Sequence, residues 1–247
     1  MDSAKKTNKL FGSSEFISDS LLNNKSTRIK KDKRAFSTLE EILHAITHGA
    51  GAALAILATV LLAIKTAPMG ALELIGSVLF GASLIILYSS SCAYHTACAM
   101  YPDGTKSKVR EITKKFDHCC IFLLITGTYI PACWTALGGA LGWTVFAVVA
   151  ACCVFGFILN TINVERFKKI SLILYIITGW AIALASVPYA KAIGITGFLL
   201  LLFGGISYTI GIVFYKIQRV PYFHVMWHFF VLGGSVLHFL MVYFYCY

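Results

Sequence analysis

Charged residues are scarce in this sequence. Asp, Glu, Lys and Arg make up 13% of its 247 residues, where a soluble domain carries about 25%. Hydrophobic residues reach 58% and the mean hydropathy is +0.77. So little polar surface cannot cover a water-facing globule, which excludes a soluble enzyme. The same composition excludes disorder over most of the length. None of the eight cysteines forms a C-x-x-C pair, so neither a zinc knuckle nor a redox motif is present. They fall in or beside apolar runs and read as small packing residues. The first 36 residues hold no apolar stretch long enough for a signal-peptide core, and no repeat at a fixed period is evident.

What is present is a series of long apolar segments. Residues 1–36 read as a disordered, basic cytoplasmic tail, rich in Lys, Ser and Asn. Beyond Thr38 the chain breaks into stretches over 41–64, 71–98, 114–136, 141–161, 170–188, 194–214 and 222–246. Each suits a hydrocarbon layer of ~30 Å, which takes about 20 helical residues to cross. The predicted fold is therefore all-α, an integral membrane bundle of seven transmembrane helices over 37–247. Short connections make consecutive helices antiparallel neighbours.

The formal charge of +10 points to membrane orientation rather than to nucleic acid, because of where the charges lie. With a cytoplasmic N-terminus, the tail and the loops holding Lys106–Lys115, Arg166–Lys169 and Lys216–Arg219 face inward. Every Lys and Arg except Lys65 and Lys191 is then inside, as the positive-inside rule requires. Seven crossings leave the C-terminus outside, in a multi-pass protein of the cell membrane.

Ionisable side chains inside spanning segments are costly and mark function. Given this topology, His44, His48, His95, His118, His224 and His228 all lie toward the cytoplasmic leaflet. His238 alone sits deeper, about 15 Å along the last helix at 1.5 Å per residue. His224 and His228 are four apart and share a helical face, a two-ligand start for zinc. The residues between them are Val225, Met226 and Trp227, so the Glu of a His-Glu-x-x-His protease motif is missing and any base must come from another helix. His95 can supply a third nitrogen, or else cap the end of its helix, and Ser91 shares its face. Three protein ligands with an open position is the catalytic zinc pattern.

Asp117 and His118 are adjacent and project about 100° apart at 3.6 residues per turn, so both cannot face one point. Asp117 is the one taken for the interior, as base for a zinc-activated water, or else it favours the positive end of its helix. His118 reads as a bystander. In the first helix Glu41 and His48 are candidates to support the metal ligands, while His44 reads as an interfacial histidine. His238 is expected to satisfy a hydroxyl or carbonyl of the bundle.

Ser91-x-x-x-His95, Phe116-Asp117-His118 and His224-x-x-x-His228, with the opening Glu41…His44-Ala45-Ile46-Thr47-His48-Gly49, resemble the hemolysin III family. This is the bacterial branch related to the progestin and adipoQ receptors and, more distantly, to alkaline ceramidases. The resemblance covers roughly 36–247 and implies a bacterial inner-membrane protein. It further implies Zn²⁺ held by His95, His224 and His228, with Asp117 holding the activated water and Ser91 stabilising the site. A zinc-dependent intramembrane hydrolase acting on a membrane lipid amide is the leading expectation, with protein partners left open. A hemolysin acting by membrane perturbation or channel formation is the second. It ranks lower because polar groups cluster at one depth instead of lining several helices. A sensor with structural zinc is the third. A retinal-type protein is excluded, since the last span has no lysine.

Overall fold

The computed structural model describes residues 34–102 and 107–247. Apart from residues 34–36, the predicted tail lies outside them. Every regular element among the described residues is helical: α1 Thr38–Thr66, α2 Ala71–Met100, α3 Lys108–Ile130, α4 Gly139–Trp180, α5 Ser186–Lys216 and α6 Phe223–Met241. A π-helical segment Pro131–Leu137 follows α3, a 3-10 turn Ala181–Ala185 joins α4 to α5, and a second π-helical turn Val242–Cys246 extends α6.

Local chemistry sets the starts. Ser37 caps α1 in a capping box: its hydroxyl accepts from Glu40 N at 3.3 Å, and its own N–H donates to Glu40 Oε2 at 3.0 Å. Two otherwise orphaned donors are thereby satisfied. Ser107 caps α3 by accepting from Arg110 N. This lets α3 begin with a charged turn, six residues earlier than the apolar pattern suggests. Pro131 has no N–H to continue the α-helical ladder, and the backbone passes there into the wider π-helical turn.

Among the described residues, five helical stretches are long and apolar enough to cross a membrane. The fourth, Gly139–Lys216, takes in the three spans expected over 141–161, 170–188 and 194–214, with no loop of ordinary length between them. The chain nonetheless reverses twice within it. Asn163 is extended (φ −162°, ψ 104°) and its side-chain oxygen accepts from Arg166 N at 2.9 Å, so it serves as an N-cap for the helix that follows. Across this break Ser171 Oγ donates to Asn160 Oδ1 at 2.6 Å. In a straight helix those residues stand roughly 16 Å apart along the axis. The second reversal is at Gly194, whose φ of +71° lies in the left-handed region that glycine enters without a Cβ penalty. Trp180 before it reaches Thr209 after it, Nε1 donating to Oγ1 at 3.1 Å. The charged residues that separate the expected spans, Arg166, Lys168 and Lys169 among them, thus lie in helix rather than in a loop.

α1 packs on α2, α2 on α3, and α5 on α6, while α1 also touches α6, so the first and last described helices meet. Phe80, Tyr88, Phe122, Tyr189 and Met241 are fully buried between them. The exterior is apolar: Ile64, Val148, Ile195 and Leu184 all stand exposed. Such a surface in water is a liability; hydrocarbon is the solvent it suits. Interior polar groups pair with one another instead, as Thr66 does with Ser77 at 2.8 Å, because lipid offers no partners.

Candidate metal centre

The contact of α1 with α6, and of both with α2, brings five imidazoles into one cluster, those of His44, His48, His95, His224 and His228. Glu41, His44 and His48 fall at i, i+3 and i+7 on α1 and therefore share a face. Ring centroids of His44 lie 4.7 Å from His95, 4.7 Å from His224 and 5.1 Å from His228. His224 and His228 are 4.9 Å apart, and His95 is 5.3 and 5.0 Å from them. One ligand atom from each of His95, His224 and His228 lies within 4.8 Å of the others, and Glu41, His44 and His95 form a second such group.

Hydrogen bonds assign the nitrogens. The Thr47 hydroxyl donates to the backbone carbonyls of Leu43 and His44, so its lone pair is what meets His228 Nδ1 at 2.9 Å. His228 Nδ1 therefore carries the proton, and Nε2 keeps its lone pair. His95 Nδ1 lies 2.6 Å from Glu41 Oε2, which likewise turns Nε2 into the donor atom. This is the carboxylate–histidine arrangement that orients metal ligands. His48 stacks on His228 at 3.6 Å with an 11° interplanar angle, fixing that ring from the side.

The test of fit is what the free nitrogens find. His228 Nε2, His224 Nδ1 and His44 Nε2 are buried with no protein partner. A buried polar atom left unpaired costs about 1–3 kcal/mol. Several on converging rings form a nitrogen donor set of the kind that takes a borderline divalent cation such as zinc.

The entrance is tied down by Glu40. Its carboxylate accepts from the Arg34 guanidinium at Nη1 (2.8 Å) and Nη2 and from Tyr222 N at 2.8 Å. The hydrogen bond to Glu40 raises the Arg34 pKa above its usual value. Phe36 covers the cluster, 5.1 Å from His44 and 5.2 Å from His224. Arg34 and Phe36, assigned to the tail on sequence, thus belong with the folded part, because they have an ion-pair partner and an aromatic surface to cover.

Of the expected site residues, His95, His224 and His228 come together, with Glu41 and His48 against them. Asp117 lines a cavity that it shares with His95, His224 and His228, with its carboxylate 3.6 Å from His118 Nδ1. His118 lines it too, while its backbone carbonyl accepts from Asn160 Nδ2 and Tyr175 OH. Ser91 is buried one turn before His95 and is not among the residues lining that cavity. His44 corrects the interfacial reading: it is 0% exposed and central to the cluster. The i, i+3 spacing from Glu41 was the signal that could have found it. Thr47 left no comparable signal, since its partner lies on the far end of the chain.

The cavity beside the cluster has a volume of about 340 Å³. It runs from Arg34, Lys114 and Lys168 at one end, past the histidines, to Trp180 and His238. Its deeper walls, formed by Ile121, Leu124, Ile125 and Ile176, are apolar.

Helix, cavity and histidine cluster together define a multi-helix membrane protein with a buried candidate metal site. The haemolysin-III-related family model matches residues 36–239, and the chain belongs to that family. It is 38% identical over 212 residues to the Hemolysin-3 homolog of Bacillus subtilis (strain 168), covering 85% of this chain and 96% of that protein. It is 40% identical over 207 residues to Hemolysin-3 of Bacillus cereus, covering 83% and 91%. At 25% identity over 185 residues it is also similar to the human Monocyte to macrophage differentiation factor, over 71% of this chain and 72% of that protein.

Proposed function

We propose that the chain is a zinc-dependent intramembrane hydrolase that cleaves a lipid amide. The observation that carries this reading is the set of unpartnered buried nitrogens on His44, His224 and His228, with a ligand atom of His95 within 4.8 Å of those of His224 and His228, while Thr47 meets Nδ1 of His228 and Glu41 meets Nδ1 of His95. His95, His224 and His228 are the ligands. Zinc bound there supplies Lewis acidity toward a carbonyl and lowers the pKa of water toward ~7. Asp117 on the cavity wall takes the proton from the attacking water and returns it to the leaving nitrogen. Ser91, behind His95, supports that ligand and does not touch substrate. The apolar walls seat the acyl chain, which sets the carbonyl beside the histidines and keeps bulk water from the reaction. The amide class follows the resemblance to alkaline ceramidases.

The same reading sets the topology. The reversals at Asn163 and Gly194 divide the long apolar run into helical stretches over 139–162, 164–193 and 195–216, giving seven crossings with the others. The inward loops then carry the basic residues, which puts the N-terminus in the cytoplasm and the C-terminus outside.

Metal analysis of detergent-purified protein tests the proposal. The wild type is expected to hold about one zinc per chain, and His224→Ala with His228→Ala to lose both the metal and hydrolysis of an N-acyl amide. Full zinc retention by the double variant overturns the ligand assignment. A zinc-loaded wild type that leaves every lipid amide intact overturns the hydrolase.

A further inference from the structure

His238 stands ten residues beyond His228 on α6, roughly 15 Å deeper along the helix, yet it lines the same cavity. It is 8% exposed. Its Nε2 lies 3.2 Å from the carbonyl oxygen of Leu201, an acceptor only, so Nε2 carries the proton and donates. A neutral imidazole has one such proton, which leaves Nδ1 a bare acceptor. Nδ1 is buried and has no protein partner.

The ring is also held in place. A Cβ on Gly204 would run into His238 Cδ2 and Nε2, so the backbone of α5 lies directly against the imidazole. Tyr208 meets the ring edge-on, with centroids 5.3 Å apart. The Tyr208 hydroxyl is engaged elsewhere, with Ser235 Oγ at 2.9 Å, and Ser235 also takes Tyr88 OH at 2.6 Å.

We infer that His238 Nδ1 is a hydroxyl-reading subsite, which selects amphiphiles whose hydrocarbon chain carries an O–H group well away from the polar head. The inference rests on the lipid-hydrolase reading for the placement of the head at the histidine cluster. A bare acceptor in apolar surroundings is costly to leave unmade. A plain alkyl chain leaves it unmade. A carbonyl or ether brings no proton. A secondary alcohol brings one proton and fits among hydrocarbon walls. The separation of His238 from the cluster then fixes where along the chain the hydroxyl must fall, near its middle.

Ricinoleic and oleic acids share chain length and double bond and differ by one mid-chain hydroxyl. Their equilibrium binding to the full-length, detergent-purified protein is the test. Ricinoleic acid is expected to bind about five- to tenfold tighter, the size of one net hydrogen bond. Its methyl ether, without the O–H, is expected to bind like oleic acid. His238→Leu is expected to bind the two acids equally, with helical content in detergent matching the wild type as proof that it folds. Should that variant fail to fold, the methyl ether on the wild type decides. Equal binding of both acids by the wild type, as when a water already serves Nδ1, overturns the subsite. So does a preference that survives in His238→Leu or with the methyl ether, or no binding of either acid. Zinc content read on the same samples separates the two ideas. Full zinc without hydroxyl preference removes the subsite alone, and a hydroxyl preference in zinc-free wild type removes the metal reading alone.

Discussion

The hydroxyl of Thr47 on α1 receives the Nδ1 proton of His228 on α6 at 2.9 Å, joining the first and last helices at the candidate metal site. The bond selects the tautomer in which His228 Nε2 faces the cluster. Thr47→Val keeps the shape of the side chain and removes the acceptor. Zinc affinity is expected to fall about 10- to 100-fold with the helical content intact, while Thr47→Ser keeps most of it. Competition against a graded series of chelators reads the difference. An unchanged affinity in Thr47→Val would show that the ring is oriented by its stack on His48 alone.

Asp117 and the histidines are proposed to divide base and ligand roles, and this separates metal from activity. Asp117→Asn is expected to retain zinc and to lose about 10²- to 10⁴-fold in turnover of an N-acyl amide, the usual worth of general acid–base catalysis. Loss of the metal in Asp117→Asn would move the residue into the ligand set.

Much of this site was legible as spacing. His224 with His228, and Glu41 with His44 and His48, are intervals that α-helical geometry turns into shared faces, and the depth expected of each rests on which loops hold Lys and Arg. Spacing gives no account of which faces meet. His44 looked like a residue at a helix entrance until α6 and α2 closed over it. Thr47 offers a hydroxyl that any membrane helix returns to its own backbone, and its second partner is visible only once α1 touches α6. The fold shows the same limit at the hairpins. Asn163 and Gly194 reverse the chain within continuous helix, so the charges at Arg166–Lys169 marked a break between spans but not that helix runs almost unbroken through it.

Glu40 gathers the start of α1, the start of α6 and Arg34 through one carboxylate. Glu40→Ala removes the capping box, the ion pair and the acceptor for Tyr222 N together. Capping losses run about 0.5–2 kcal/mol, and an unpaired backbone N–H adds a similar amount. A clear drop in the thermal midpoint in detergent is therefore expected, with Glu40→Gln intermediate because it keeps acceptor capacity without the charge. A Glu40→Ala variant as stable as the parent would mean that the entrance is held by Phe36 and the histidines instead.

The topology makes opposite demands on two basic positions separated by one helical stretch. Lys191 precedes the reversal at Gly194, and Arg219 follows the end of α5, so the stretch over 195–216 separates them by its full length. That stretch is apolar, with Ile195, Phe203 and Val213 exposed on its outer face. Helical rise over it matches the ~30 Å of a hydrocarbon core, so the proposed topology puts the two residues on different sides. In intact cells a membrane-impermeant maleimide is expected to label Lys191→Cys and to spare Arg219→Cys until the membrane is permeabilised. The parent protein, whose eight cysteines lie in or beside apolar helices, sets the background. Labelling of both positions from outside would place the 195–216 stretch along the membrane surface, and labelling of Arg219→Cys alone would invert the bundle.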